Sequence, residues 1–201
     1  MATLVLEPVR RRITVDQFFA EVGETEERYQ LIDGEVWHMA GGSQRHATVT
    51  GQIFGTLFVK LAGSGCRPLG SDMAVQLNDF NFRYPDVAIY CDPRDLGRQA
   101  ADEHRLRYPK VVFEVLSPST ATTDRAVKVA EYKALPSVAA IVLVDPVARV
   151  IELHERTGPG AWLQRELPAG APLELRDPAV TLTAAEIFGA DSSGSENFGA
   201  T

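Results

Sequence analysis

The sequence predicts an α/β (α+β) fold: a mixed β-sheet flanked by helices, with β-hairpins added near the N- and C-terminal ends. Three observations carry this. Short apolar runs recur at "DMAVQL", "YPDVAIY", "KVVFEVLS" and "AAIVLVDP", each of strand length. Residues 45–62 place Val49, Ile53, Leu57 and Leu61 at steps of four, the spacing of an amphipathic helix. A helix-forming stretch at 122–135 lies between two strand runs, and such a passage normally makes a parallel crossover.

Taken in order, residues 14–22 read as a short helix with Thr14 as a cap and Phe18, Phe19 and Val22 apolar. "RYQLIDGEVWHMA" reads as a hairpin turning at Asp33-Gly34. Ser43 is placed to cap the helix of 45–62, which "GSG" ends. "NDFN" turns between the next two strands, and the charged stretch 91–109 reads as a surface excursion. In the second helix Ala126, Val127, Ala130 and Ala134 form the expected packing stripe. "ARVIELHER" alternates and pairs back on the strand before it through Asp145-Pro146. A strand near Trp162 and a helical turn at 184–187 complete a single domain over 1–188, and the small polar tail 189–201 is expected to be disordered.

With 201 residues, 45% hydrophobic and 23% charged, the chain can bury one full core. No apolar run approaches the roughly 20 residues that span a bilayer. The basic cluster Arg10–Arg12 follows the first apolar residues instead of preceding them, unlike a secretory signal, so the expected location is cytoplasmic. The two cysteines, Cys66 and Cys91, are too few for a disulfide scaffold or a four-cysteine zinc site and read as buried free thiols. A net charge of −7 weighs against a broadly basic nucleic-acid surface. Arg94, Arg98, Arg105, Arg107 and Lys110 could touch phosphate, but such a spread more commonly forms a solvated charged face.

The informative feature is a pair of carboxylates inside apolar strands. Asp86 alternates with Tyr84, Ala88 and Tyr90, and Glu114 with Val112 and Leu116. A lone ionised carboxylate there is very costly, so each needs an ion pair, a raised pKa or a cation. Lys128 shares a helix face with Asp124, Glu131 and Tyr132, and its helix starts where the strand of Glu114 ends, so its ammonium can reach that carboxylate. Two carboxylates and a lysine suit metal-assisted phosphodiester hydrolysis and are equally the parts of a structural ion pair.

"YPDVAIY", "VVFEVLSPST", the run Asp124-Arg125-Ala126-Val127-Lys128 with Tyr132, and "AAIVLVDP" together resemble the Uma2 (DUF820) family of restriction-endonuclease-like proteins in the PD-(D/E)XK superfamily. "YQLIDGEVWHMA" followed by His46 matches the family's opening, and the likeness spans about residues 14–165. It implies a restriction-endonuclease-like fold, hydrolysis of DNA phosphodiester bonds with Mg2+ (or Mn2+), and a homodimer to cut both strands. Carried over, Asp86 and Glu114 are metal ligands and catalytic. Leu116 stands where the usual lysine falls, which moves that role to Lys128. Ala139, Ala140 and Ile141 depart from the acidic and aromatic residues common there. Glu35 could add a carboxylate or be an exposed hairpin residue. His46 could contact substrate or water, or simply cap its helix. Tyr132 reads as packing. A catalytically inactive binding or scaffold protein of the same fold is the alternative, and RNA or a small phosphate ester would suit the same residues.

Overall fold

The computed structural model describes residues 12–21, 27–39, 41–97, 104–117, 122 and 124–189; the expectations for Arg10, Arg11, Arg98 and the tail from 190 fall outside them. Helix α1 (Val15–Glu21) leads into the hairpin β1 (Tyr29–Ile32) and β2 (Glu35–His38). Asp33 and Gly34 both take positive φ, 51° and 78°, the conformation that makes Asp-Gly a tight hairpin turn. A Cβ on Gly34 would lie 3.0 Å from the Ile13 carbonyl oxygen. Helix α2 (Gln44–Lys60) follows, its Ser43 oxygen accepting from the His46 backbone N–H.

Strands β3 (Arg67–Gly70), β4 (Ala74–Asn78), β5 (Asn81–Arg83) and β6 (Val87–Tyr90) come next. The strand expected at 84–90 starts only at Val87, and Tyr84–Asp86 separate it from β5, because Pro85 has no N–H to continue a ladder. The excursion at 91–109 holds a helical turn, α3 (Pro93–Leu96), and a short strand, β7 (Arg105–Leu106). Then come β8 (Pro109–Val115), a π-helical turn (Asp124–Lys128) running into α4 (Val129–Ala134), and β9 (Ala140–Asp145), β10 (Val150–Gly158) and β11 (Ala161–Glu166). A hairpin that the sequence did not announce, β12 (Leu173–Arg176) and β13 (Ala179–Leu182), precedes α5 (Ala184–Phe188).

These strands form a six-stranded sheet in the order β11-β10-β9-β8-β6-β3, a five-stranded sheet in the order β2-β1-β5-β4-β7, and the β12-β13 ribbon. The architecture is thus a mixed α+β fold with its β-structure divided among three sheets. The crossover from β8 to β9 is parallel, with Phe113 opposite Val142. Strand β8 is flanked by β6 and β9 and is buried on both faces. Val111, Phe113 and Val115 pack with Val49, Ile53 and Leu57 of α2. Val112 and Leu116 pack with Val129 and Tyr132 of α4. A third cluster joins α1 to the five-stranded sheet through Val15, Phe18, Leu31 and Phe82.

Two expectations need correction. The predicted stripe of α4 is turned outward: Ala126, Val127, Ala130 and Ala134 are exposed, and Val129 and Tyr132 are buried. A π-turn spreads its hydrogen bonds over i→i+5 and rotates the residues it carries relative to an α-helical phase, and an acidic residue on the sheet beneath gives Lys128 and Tyr132 a reason to face inward. The cysteines are also not free. Arg67 pairs with Tyr90, so Cys66 and Cys91 flank the next rung and form a disulfide, Cα–Cα 4.1 Å. It ties β3 to the end of β6. Denatured but unreduced protein is expected to show no reactive thiol toward a thiol reagent. Replacing both cysteines by serine should lower stability by about 3 kcal/mol in urea unfolding, as for a closed loop of this size; two titrating thiols would contradict the pairing.

Candidate active site

The register Val87↔Phe113 makes Asp86 and Glu114 the next rung at one end of the β6–β8 pair. The rung is not closed by backbone. The Val115 N–H instead donates to Asp86 Oδ2 at 2.7 Å, so this carboxylate occupies the place that a strand carbonyl would take beyond Pro85. His46, in the first turn of α2, lies against the same oxygen, Nε2 to Oδ2 3.2 Å. Gly42 permits that ring position, since a Cβ there would stand 2.9 Å from His46 Nδ1.

Glu114 projects toward α4 and is 3% exposed. Burying an ionised carboxylate needs compensation on both oxygens. Lys128 Nζ donates to Oε2 at 2.9 Å and Tyr132 Oη to Oε1 at 2.7 Å. Lys128 and Tyr132 are four residues apart and so share one helix face. A further layer lies behind them. Arg83, 1% exposed, grips both oxygens of Glu131 at 2.7 and 2.8 Å and donates to Gln30 Oε1 at 3.0 Å.

The electrostatics follow from these contacts. The hydrogen bond to Asp86 raises the His46 pKa; burial opposes this, and the negative charges of Asp86 and Glu114 add to it. Burial first, then the neighbouring Glu114, pushes the Tyr132 phenol well above its ordinary value, so it stays a donor. Burial works against the Arg83 charge, but its bond to Glu131 prevails and raises its pKa.

Of the residues singled out in the sequence, the structure joins Glu114 directly to Lys128 and brings Asp86 to the same strand end through Val115, with His46 beside it. His46 is not a capping side chain; its backbone takes the cap and its ring takes the carboxylate. Glu35 pairs with Ile32 on β2, on the same hairpin face as Gln30, at the margin of this network. Tyr132 was read as packing and is in fact a ligand of the acid. Its signal was the fourth-residue spacing from Lys128. Arg83 and Gln30 carried no signal, since their partner Glu131 is far away in sequence. Among the described residues no group of three or more His, Cys, Asp or Glu is set to enclose a metal ion. Cavities of about 530 and 760 Å3 lie beyond the opposite end of β6, around Cys91 and Pro93; none of the site residues lines them. The described Arg residues of the 91–109 excursion are internally paired: Arg94 with Asp92, Arg105 with Asp16 and Arg107 with Gln76, and Lys110 beyond it pairs with Asp177.

A model of the Uma2 family, described as "Putative restriction endonuclease", matches residues 15–185. The uncharacterized protein slr1290 of Synechocystis sp. is 33% identical over 164 residues, covering 81% of this chain and 84% of that protein. A second uncharacterized Synechocystis protein, sll1609, is 24% identical over 156 residues, covering 77% and 87%. A crystal structure of "a putative nuclease belonging to DUF820" from Anabaena variabilis superposes with a TM-score of 0.69 at 17% identity, covering 88% of this chain and 97% of that one, a likeness of fold.

Two expectations follow from the contacts. Tyr132→Phe leaves one oxygen of a buried carboxylate without its donor and should cost about 1–3 kcal/mol in urea unfolding; a change under about 0.5 kcal/mol would contradict the bond's role. The raised His46 pKa means that its stabilising contribution is complete below its ordinary value near 6.5 and is lost as pH rises through the higher folded value. In EDTA, the stability gap between wild type and His46→Gln should therefore be widest near pH 6 and shrink toward pH 8. A gap that widens with pH would reverse the assignment.

Proposed function

The chain belongs to the Uma2 family, and from that premise we propose that it is a metal-dependent endonuclease hydrolysing DNA phosphodiester bonds at the Asp86–Glu114–Lys128 site. The observation that carries this reading is the Lys128 ammonium on a π-helical turn, 2.9 Å from a buried acid that stands opposite a second acid in the strand register. π-turns recur at functional sites.

The donor set suits a hard cation. Asp86 and Glu114 are carboxylates at one strand end, and Mg2+ is commonly held by one or two carboxylates while keeping several waters, so a closed cage of three side chains is not required. Mn2+ has the same ligand preference. When bound, such an ion neutralises phosphoryl charge and acidifies water. The protein's own groups do the rest. The Val115 N–H and His46 both engage Oδ2 of Asp86, and Asp86 together with Glu114 would hold the ion. Lys128 holds Glu114 at 2.9 Å, and its ammonium beside the acid is the group that would orient a water or stabilise a phosphoryl oxygen as charge develops. Tyr132 fixes the Glu114 rotamer, and His46 holds Asp86 in place. No helix among the described residues is long and apolar enough to cross a membrane, and this reading requires the cytoplasm, where DNA lies. Where both strands of a duplex are cut, a homodimer would supply one site for each strand.

One observation favours a second reading. Glu114 is almost fully enclosed, with a donor on each oxygen, as befits a nuclease fold kept for binding or scaffolding without turnover. Cleavage of plasmid and of short oligonucleotides in Mg2+ or Mn2+ separates the two. Asp86→Ala and Lys128→Ala are each expected to lower the rate by at least about 100-fold. Equal rates in wild type and both variants would leave only the binding protein.

A further inference from the structure

We propose that Trp37 is a stacking platform for an unpaired base, making the preferred substrate of this site a single-stranded or locally unpaired nucleic-acid strand. The inference rests on the nuclease reading for the position of the phosphate.

Trp37 stands on β2, the outer strand of the five-stranded sheet, and 46% of it is exposed. Among the described residues its ring is one of the largest apolar groups left to solvent, and Trp, with an apolar body and a polar handle, is enriched at interfaces. Its direction is set by register. Trp37 pairs with Gln30, and directly opposed residues share a sheet face. Leu31 pairs with Phe82, which puts Gln30 opposite Arg83, as their 3.0 Å hydrogen bond requires. Trp37, Gln30 and Arg83 therefore form one row across three strands, about 10 Å from end to end at the usual strand spacing. Arg83 holds Glu131 at 2.7 Å, and the next residue, Tyr132, bonds Glu114 at 2.7 Å. The exposed ring thus lies on the same face as the network that supports the buried acid, at its open edge. A strand with a phosphate at Lys128 would meet Trp37 at the exposed rim of this face, beyond the buried Arg83–Glu131 pair.

Charge decides between duplex and single strand. Duplex affinity comes chiefly from basic side chains replacing counterions. Here the net charge is −7, and among the described basic residues Arg83, Arg94, Arg105, Arg107 and Lys110 are each engaged by an acid or amide of the protein itself. Stacking on an aromatic ring adds binding beyond the attraction of basic groups for the backbone, and it needs a base whose face is uncovered. In an intact duplex both faces of each base are already stacked.

The test uses tryptophan emission in a Trp162→Phe background, so that Trp37 is the sole remaining tryptophan of the two. A 12-nucleotide single strand, the matching duplex and an abasic strand of equal length are titrated in Ca2+ buffer, with Trp37→Leu and Trp37→Phe measured by oligonucleotide anisotropy. The expected result is saturable quenching by the single strand and little by the duplex or the abasic strand. Trp37→Leu should weaken single-strand binding by about 5- to 150-fold, the range of stacking on one ring, and Trp37→Phe should recover much of it. Unchanged emission, equal affinity of Trp37→Leu and wild type, or equal response to abasic and normal strands overturns the proposal. Plasmid cleavage by Trp37→Leu and Asp86→Ala keeps the two readings apart. Loss of cleavage in Asp86→Ala alongside normal oligonucleotide binding by Trp37→Leu removes the platform and keeps the nuclease. Cleavage unaffected by Asp86→Ala, alongside quenching, removes the nuclease and keeps the platform.

Discussion

Glu114 is a carboxylate near the end of a strand packed on both faces, and the architecture around it is the set of conditions under which that charge can be buried. Strand β8 is packed by α2 on one face and α4 on the other, so its side chains have no solvent to turn to. The acid is tolerable only with a donor for each oxygen. Lys128 and Tyr132 supply them, and both come from one helix face. The placement of α4 over the sheet, its inward face, and the Arg83–Glu131 pair behind it can all be traced to this requirement.

The same requirement explains why α4 does not pack as its apolar residues suggest. An alanine–valine stripe offers little area, and facing it inward would have left Glu114 unpaired. The structure exposes the alanines and Val127, buries Val129 and Tyr132, and half-buries Lys128. The π-turn at Asp124–Lys128 gives the segment the phase that this exchange needs.

Asp86 is held by a different logic. Pro85 interrupts the ladder, and the aspartate side chain takes up the Val115 N–H that a backbone carbonyl would otherwise satisfy. The carboxylate is thereby fixed to the strand that carries Glu114, even though the two acids engage different helices, α2 through His46 and α4 through Lys128. The site sits where the two helix layers meet at one end of the sheet. The Cys66–Cys91 disulfide restrains the other end of β6, so the short strand is secured at both ends.

Local pattern alone determined much of this molecule. The step-of-four spacing of Val49, Ile53, Leu57 and Leu61, the Asp33-Gly34 turn and the unbroken apolar runs of β8 and β9 are periodic or short-range signals, and each element formed where its signal lay. The two acids and Lys128 could be picked out because charges in apolar strands, or on the face of a nearby helix, stand against their background. Tertiary structure decided what depends on partners distant in the chain. The 25-residue gap between the cysteines is closed only by the pairing of β3 with β6. Arg83 and Gln30 look like ordinary polar strand residues until Glu131 is brought to them. Tyr132 is indistinguishable from packing until Glu114 lies beneath its hydroxyl. The outward stripe of α4 has the same cause: helical periodicity says which residues share a face, but which face turns inward depends on the charge already buried in the sheet below.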